Sequence, residues 1–174
     1  MPKDKPQDIL AVDLDGTLLR SDMLHESFWA ALAQDWKAGL AAISALSRGR
    51  AALKRHLANV SVIDVATLPY NVDVIERIKA WRENGGRTAL VTATDQTIAE
   101  SIAAHLGIFD EVHGSDGETN LKGAEKARFL NERFGEGGYT YMGDSEVDLE
   151  VWASAGKAIT VNASPSVRDA ASAL

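Results

Sequence analysis

The run Ile9-Leu10-Ala11-Val12-Asp13-Leu14-Asp15-Gly16-Thr17-Leu18 constrains this chain more than any other segment. An apolar stretch of strand length stops abruptly at two carboxylates, a glycine and a hydroxyl. Residues two apart on an extended segment share a face, so Asp13 and Asp15 can address one point in space. Like charges that close are costly to bury unless a cation lies between them. Their oxygens suit Mg²⁺, a hard ion that takes one or two carboxylates together with substrate phosphate. The plainer alternative is a strand followed by an acidic turn, because Asp-Gly is common turn chemistry. By average residue usage, however, Asp-x-Asp-Gly-Thr is a rare coincidence in a chain of this size.

Strand-like and helix-like segments alternate along the rest of the sequence, the pattern of a parallel sheet covered by helices. Strands are predicted at 8–13, 87–92, 110–113, 139–142 and 157–161. Helices are predicted at 71–84, 95–106, 121–134 and 145–155. Gly85-Gly86 and Gly135-Glu136-Gly137-Gly138 stop two of those helices just before a strand. Asp95, followed by Ile98, Ile102 and Leu106, reads as an N-cap leading into an apolar face. Asp13, Asp15, Thr92 and Asp144 all fall at the C-terminal ends of the predicted strands, where open α/β sheets place ligands.

Asp13-Leu14-Asp15-Gly16-Thr17-Leu18 resembles the first motif of the haloacid dehalogenase superfamily of phosphohydrolases. Three further motifs have matching candidates in the expected order. They are Thr92 in Ala89-Leu90-Val91-Thr92-Ala93-Thr94, Lys122 in Asn120-Leu121-Lys122-Gly123, and the segment Gly143-Asp144-Ser145-Glu146-Val147-Asp148. The resemblance spans residues 8–162. It implies an α/β fold, a Rossmann-like parallel sheet flanked by helices, with a small helical cap between the first and second motifs. On that division residues 1–21 and 67–174 form the catalytic core and 22–66 the cap.

The resemblance implies a Mg²⁺-dependent phosphatase that hydrolyses a small phosphate monoester through an aspartyl-phosphate. Asp13 is the candidate nucleophile. Asp15 is the candidate general acid and then base, and its presence favours a phosphatase or phosphomutase over a dehalogenase or an ion-pumping ATPase. Thr92 and the Ala93 N–H are expected on the phosphoryl oxygens, and Lys122 on the charge of nucleophile and phosphoryl group. The expected metal ligands are Asp13, Asp15 (by its backbone carbonyl), Asp144 and Asp148, the last directly or one step removed. Each has a plainer alternative: a strand-end hydroxyl for Thr92, a solvated lysine for Lys122, an acidic helix start for Asp144 and Asp148. Gly143, where backbone and ion must approach closely, weighs against the last of these.

Composition narrows the partners. The 174 residues carry a net charge of −7, which argues against nucleic acid, since phosphate backbones are bound by clustered Lys and Arg. An anionic substrate then needs local compensation by metal, lysine and backbone N–H groups. Cysteine is absent, so disulfides and thiolate metal sites are ruled out. The polar N-terminus lacks the apolar core of a signal peptide, and no stretch is long enough to span a membrane. A cytoplasmic location is expected.

The Ala- and Leu-rich stretch 22–66 contains Trp29, Trp36 and the basic cluster Arg48, Arg50, Lys54 and Arg55. That cluster is either a solvated helix face or a contact for an anionic substrate. His25 and His56 lack any triad or metal spacing and read as structural or exposed. Leu24-His25-Glu26-Ser27, Arg48-Gly49-Arg50-Ala51-Ala52-Leu53-Lys54, Leu68-Pro69-Tyr70-Asn71 and Ser115-Asp116-Gly117-Glu118-Thr119-Asn120-Leu121-Lys122-Gly123 resemble the domains fused ahead of UbiA-type polyprenyl transferases in bacteria. That resemblance implies an excised domain whose covalent neighbour is a membrane prenyltransferase, at the inner face of the membrane. Two alternatives to a phosphatase follow: a phosphomutase, and a non-catalytic regulatory domain of such a membrane enzyme.

Overall fold

The computed structural model describes residues 8–23, 26, 63–116 and 118–174. The chain divides into two compact units, Met1–Arg20 with Tyr70–Leu174, and Ser21–Pro69. In the second unit a short 3₁₀ turn, Val65–Thr67, is capped by the Asp64 side chain, which accepts from Ala66 N–H. Trp29, Trp36, His25, His56 and the basic cluster Arg48–Arg55 lie outside the described residues.

The first unit is built on five parallel strands: β1 (Ile9–Val12), β2 (Arg87–Asp95), β3 (Glu111–Ser115), β4 (Tyr139–Gly143) and β5 (Lys157–Thr160). Their order across the sheet is β3-β2-β1-β4-β5. Connecting them are α1 (Val72–Glu83), α2 (Gln96–Leu106), α3 (Ala124–Phe134) and a one-turn α4 (Leu149–Trp152), and α5 (Pro165–Ser172) follows β5. The chain winds outward from β1 to β3, then crosses back to β4 on the other side of β1. Such a reversal leaves a crevice between β1 and β4 at their C-terminal ends.

The near-continuous apolar sequence of β1 reflects burial on both faces, as parallel sheets require. One face carries Ile9, Ala11, Ala89, Val91, Tyr139 and Tyr141 against Leu130, Val151, Trp152 and Ala171 of the helices α3 to α5. By strand alternation Leu10, Val12, Leu90 and Met142 occupy the other face, and all are fully buried. Val12 pairs with Leu90 on one side and Met142 on the other. The residues just beyond, on β1, β2 and β4, therefore emerge at one level.

Local chemistry sets the element ends. Asp95 caps α2, its side chain accepting from Thr97 N–H at 2.9 Å, and Gly107 closes that helix at φ +63°. Two predicted helices take other bounds, and a further helix was not predicted. The helix expected over 121–134 begins only at Ala124, because Asp116 accepts from the N–H groups of Glu118 and Thr119 and Gly123 takes φ +54°. The helix expected over 145–155 breaks into a 3₁₀ turn, Glu146–Asp148, and α4. Helix α5 was not among the predicted elements, although Ser164 caps it and Pro165 occupies its first turn.

Candidate active site

Asp13 follows the last residue of β1, and its N–H donates to the Met142 carbonyl of β4 at 2.9 Å. Its carboxylate is buried, at 8% exposure. Lys126, on the inward face of α3 and also buried, donates from Nζ to Asp13 Oδ1 at 2.5 Å. A second Lys126 bond reaches the Tyr141 hydroxyl at 2.9 Å, and that hydroxyl donates to Asp148 Oδ1 at 2.8 Å. One chain of contacts thus links the end of β1, helix α3, strand β4 and the turn after it.

The structure places Lys126, not Lys122, against Asp13. Lys122 is exposed in the turn before α3, where its own N–H donates to the Asn120 carbonyl. The delayed helix start accounts for the change. Residues 126, 127 and 130 face inward on α3, and the helix aims Lys126 at the strand ends. A lysine on an apolar helical stripe is itself a signal, because buried ammonium groups are almost always paired.

Asp13, Asp144 and Asp148 each offer a carboxylate oxygen, and these three atoms lie within 4.8 Å of one another. Asp148 is already engaged. Its Oδ2 accepts from Asp144 N–H, Ser145 N–H and Ser145 Oγ at 3.1–3.2 Å, so it orients the loop after β4. The Asp144 carboxylate takes a long contact from Thr17 Oγ1, at 3.4 Å. Gly16, at φ +78°, lies directly against the Asp144 carboxylate, and a Cβ there would collide with it. Asp15 stands apart from the three-oxygen cluster: Thr94 Oγ1 donates to its Oδ2 at 3.0 Å. Thr92 is fully buried, and its Oγ1 accepts from Thr94 N–H. Thr17, Thr94, Lys126 and Tyr141 are the residues of this constellation that local sequence reading missed.

The clustered acids could hold a cation. Burial raises the Asp13 carboxyl to about 7, outweighing the opposing pull of Lys126, with Asp148 and Asp15 pushing the same way. Burial, then Asp148, raises Asp144 to about 6. Three hard oxygens on clustered acids, two of them reluctant to ionise, are a donor set suited to Mg²⁺. Asp13 and Asp144 fit as ligands, with Asp148 fitting best as the group that holds the Asp144 loop.

In metal-free protein the folded chain keeps a proton on Asp13 that the unfolded chain releases near pH 4. Stability relative to Asp13→Asn therefore falls as pH rises from about 4 to 7. Thermal melts of both proteins in chelator check this. A gap that stays constant over the interval contradicts the raised carboxyl.

Comparison with known proteins adds three findings. The family model for haloacid dehalogenase-like hydrolases matches residues 10–152. The uncharacterized protein y4nM of Sinorhizobium fredii (strain NBRC 101917 / NGR234) is 43% identical over 152 residues, covering 87% of this chain and 29% of that protein. The chain thus spans less than a third of the length of that curated relative. Among solved structures, a protein of unknown function from Bordetella pertussis Tohama I aligns with a TM-score of 0.72 at 20% identity, covering 97% of this chain and 96% of that one. A substrate-bound phosphoserine phosphatase complex aligns at 0.66 and 14% identity, covering 96% and 91%. At these identities the likeness to both structures is one of fold.

Proposed function

The chain belongs to the haloacid dehalogenase-like hydrolases, and from that premise we propose that it is a Mg²⁺-dependent phosphatase acting on a small phosphate monoester. The observation that carries this reading is the buried Lys126–Asp13 pair at the rim of a three-carboxylate cluster. A cationic amine and a carboxylate at the end of a central strand are the parts that in-line phosphoryl transfer to an aspartate requires.

In this reading an Asp13 oxygen attacks phosphorus, and the bond from phosphorus to the leaving oxygen breaks. Asp15 gives that oxygen its proton. Asp15 then takes a proton from water, which attacks the aspartyl-phosphate at phosphorus, releases phosphate and restores the Asp13 carboxylate. Thr94 holds Asp15 Oδ2 at 3.0 Å for both transfers. Lys126 neutralises charge on the nucleophile and the transferred group. The Thr92 oxygen already accepts a bond from Thr94 N–H, which leaves its hydroxyl proton for a phosphoryl oxygen. Asp13, Asp144 and the backbone carbonyl of Asp15 would hold a divalent cation, which would supply the remaining positive charge and favour the ionised form of Asp13.

Phosphate release, measured across a panel of phosphate monoesters with Mg²⁺, tests the proposal. Turnover of at least one ester is expected, and no turnover on any would overturn it. Transfer between two sugar phosphates without net phosphate release would mark a phosphomutase instead. Chelator should abolish turnover. Saturating Mg²⁺ should raise the melting temperature by about 5–10 °C, through mass action on the folded state, and Asp144→Ala should remove most of that rise. Turnover that survives chelation would take the metal out of the mechanism.

A further inference from the structure

We infer that Tyr141 is a positioning residue for this site, one that fixes both the Lys126 ammonium and the Asp148 carboxylate. The catalytic half of the inference rests on the phosphatase reading above. Tyr141 lies in β4, is fully buried, and joins the two groups through one hydroxyl. The direction of each bond is settled by chemistry. A carboxylate only accepts and an ammonium only donates, so the phenol O–H donates to Asp148 Oδ1 and the phenol oxygen accepts from Lys126 Nζ.

Two consequences follow. Lys126 has three N–H protons, one committed to Asp13 Oδ1 and one to Tyr141. Two fixed bonds stop rotation of the ammonium, so its third N–H points in one direction, available to a transferred phosphoryl group. For Asp148, Oδ2 is taken up by the Asp144 and Ser145 groups, and Tyr141 is the partner of Oδ1. The phenol therefore sets the plane of the carboxylate that holds the Asp144 loop. Its ring is in turn held by Trp152, which packs edge-on at 6.4 Å between centroids and donates from Nε1 to the Tyr141 carbonyl at 3.2 Å.

Tyr139 provides the internal contrast. It lies two residues earlier on the same face of β4 and is also buried, but its hydroxyl meets Asn131 and Ser154. A tyrosine serving packing alone needs no more than that.

The experiment compares Tyr141→Phe with Tyr139→Phe in the full chain. It measures turnover of p-nitrophenyl phosphate and, separately, Mg²⁺ binding by calorimetry. Tyr141→Phe should lower kcat about 10- to 100-fold with KM within about twofold, and weaken Mg²⁺ binding about tenfold, as loss of a partner that orients a metal site does. Tyr139→Phe should change neither. Parent-like kcat and Mg²⁺ affinity in Tyr141→Phe would overturn the inference, and so would equal losses in both variants. Should Tyr141→Phe fail to fold, the chain labelled with 3-fluorotyrosine replaces it, with resonances assigned through Tyr70→Phe and Tyr139→Phe. The Tyr141 fluorine signal should move on adding Mg²⁺ while the other two stay, and a stationary Tyr141 signal would overturn the inference. If the parent turns over no ester, the phosphatase reading falls, while the binding and fluorine readouts still judge the coupling of Tyr141 to the acidic cluster.

Discussion

Asp13→Asn should release phosphate at least roughly 10⁴-fold more slowly than the parent while keeping its fold, because an amide cannot form the acyl-phosphate. The substitution is well suited to the question. Asn keeps an oxygen acceptor for Lys126 Nζ, so the buried ammonium is not stranded. It also removes one of three crowded carboxylates, which relieves repulsion in the metal-free state. Stability measured without metal should therefore hold or rise at neutral pH, in contrast to the damage that a disruptive core substitution causes. Loss of turnover with an intact melting transition would separate chemistry from folding. Activity within tenfold of the parent would mean that another group attacks phosphorus, and the assignment of Asp13 would be withdrawn.

What local sequence could reveal here depended on the range of each interaction. Strand β1 and its abrupt acidic end were legible because one run of ten residues contains both the apolar segment and the charges. The cap of α2 was legible because Asp95 bonds a backbone group two residues away. Lys126 was not, since its partner Asp13 lies 113 positions distant, and its place on the stripe with Ala127 and Leu130 was the one local signal that set it apart from Lys122. The turn from Asp116 to Gly123 decides between the two, because it delays the helix and rotates Lys122 out to solvent. The broken helix after β4 has a similar origin: Asp148 turns its side chain back onto the N–H groups of Asp144 and Ser145, which a periodicity count cannot register. Ser164-Pro165 did carry a readable helix start. That signal lay outside the motifs, and the helix went unpredicted.

The two lysines give the sharpest test of that geometry. Lys126→Met keeps most of the side-chain volume and removes the charge, and it should lower turnover by about 10²- to 10⁴-fold, since positive charge aimed at the transferred group acts mainly in the transition state. Lys122→Met should stay within about threefold of the parent, because that side chain is exposed in the turn before α3. Stability should diverge as well. Removing one partner of a buried ion pair costs about 3–5 kcal/mol when the other is left charged. Asp13 can limit that cost by keeping its proton, so a loss nearer the lower end is expected in chelator. Mg²⁺ would then restore part of the stability by taking over the neutralisation of Asp13, but not the turnover, because the ion cannot occupy the position of the Nζ donor. Turnover assays and melts of both variants, with and without Mg²⁺, give results that must agree. A collapse of activity in Lys122→Met with Lys126→Met unharmed would reverse the assignment. It would also mean that the Asp13–Lys126 pair serves packing of α3 onto the sheet and nothing else.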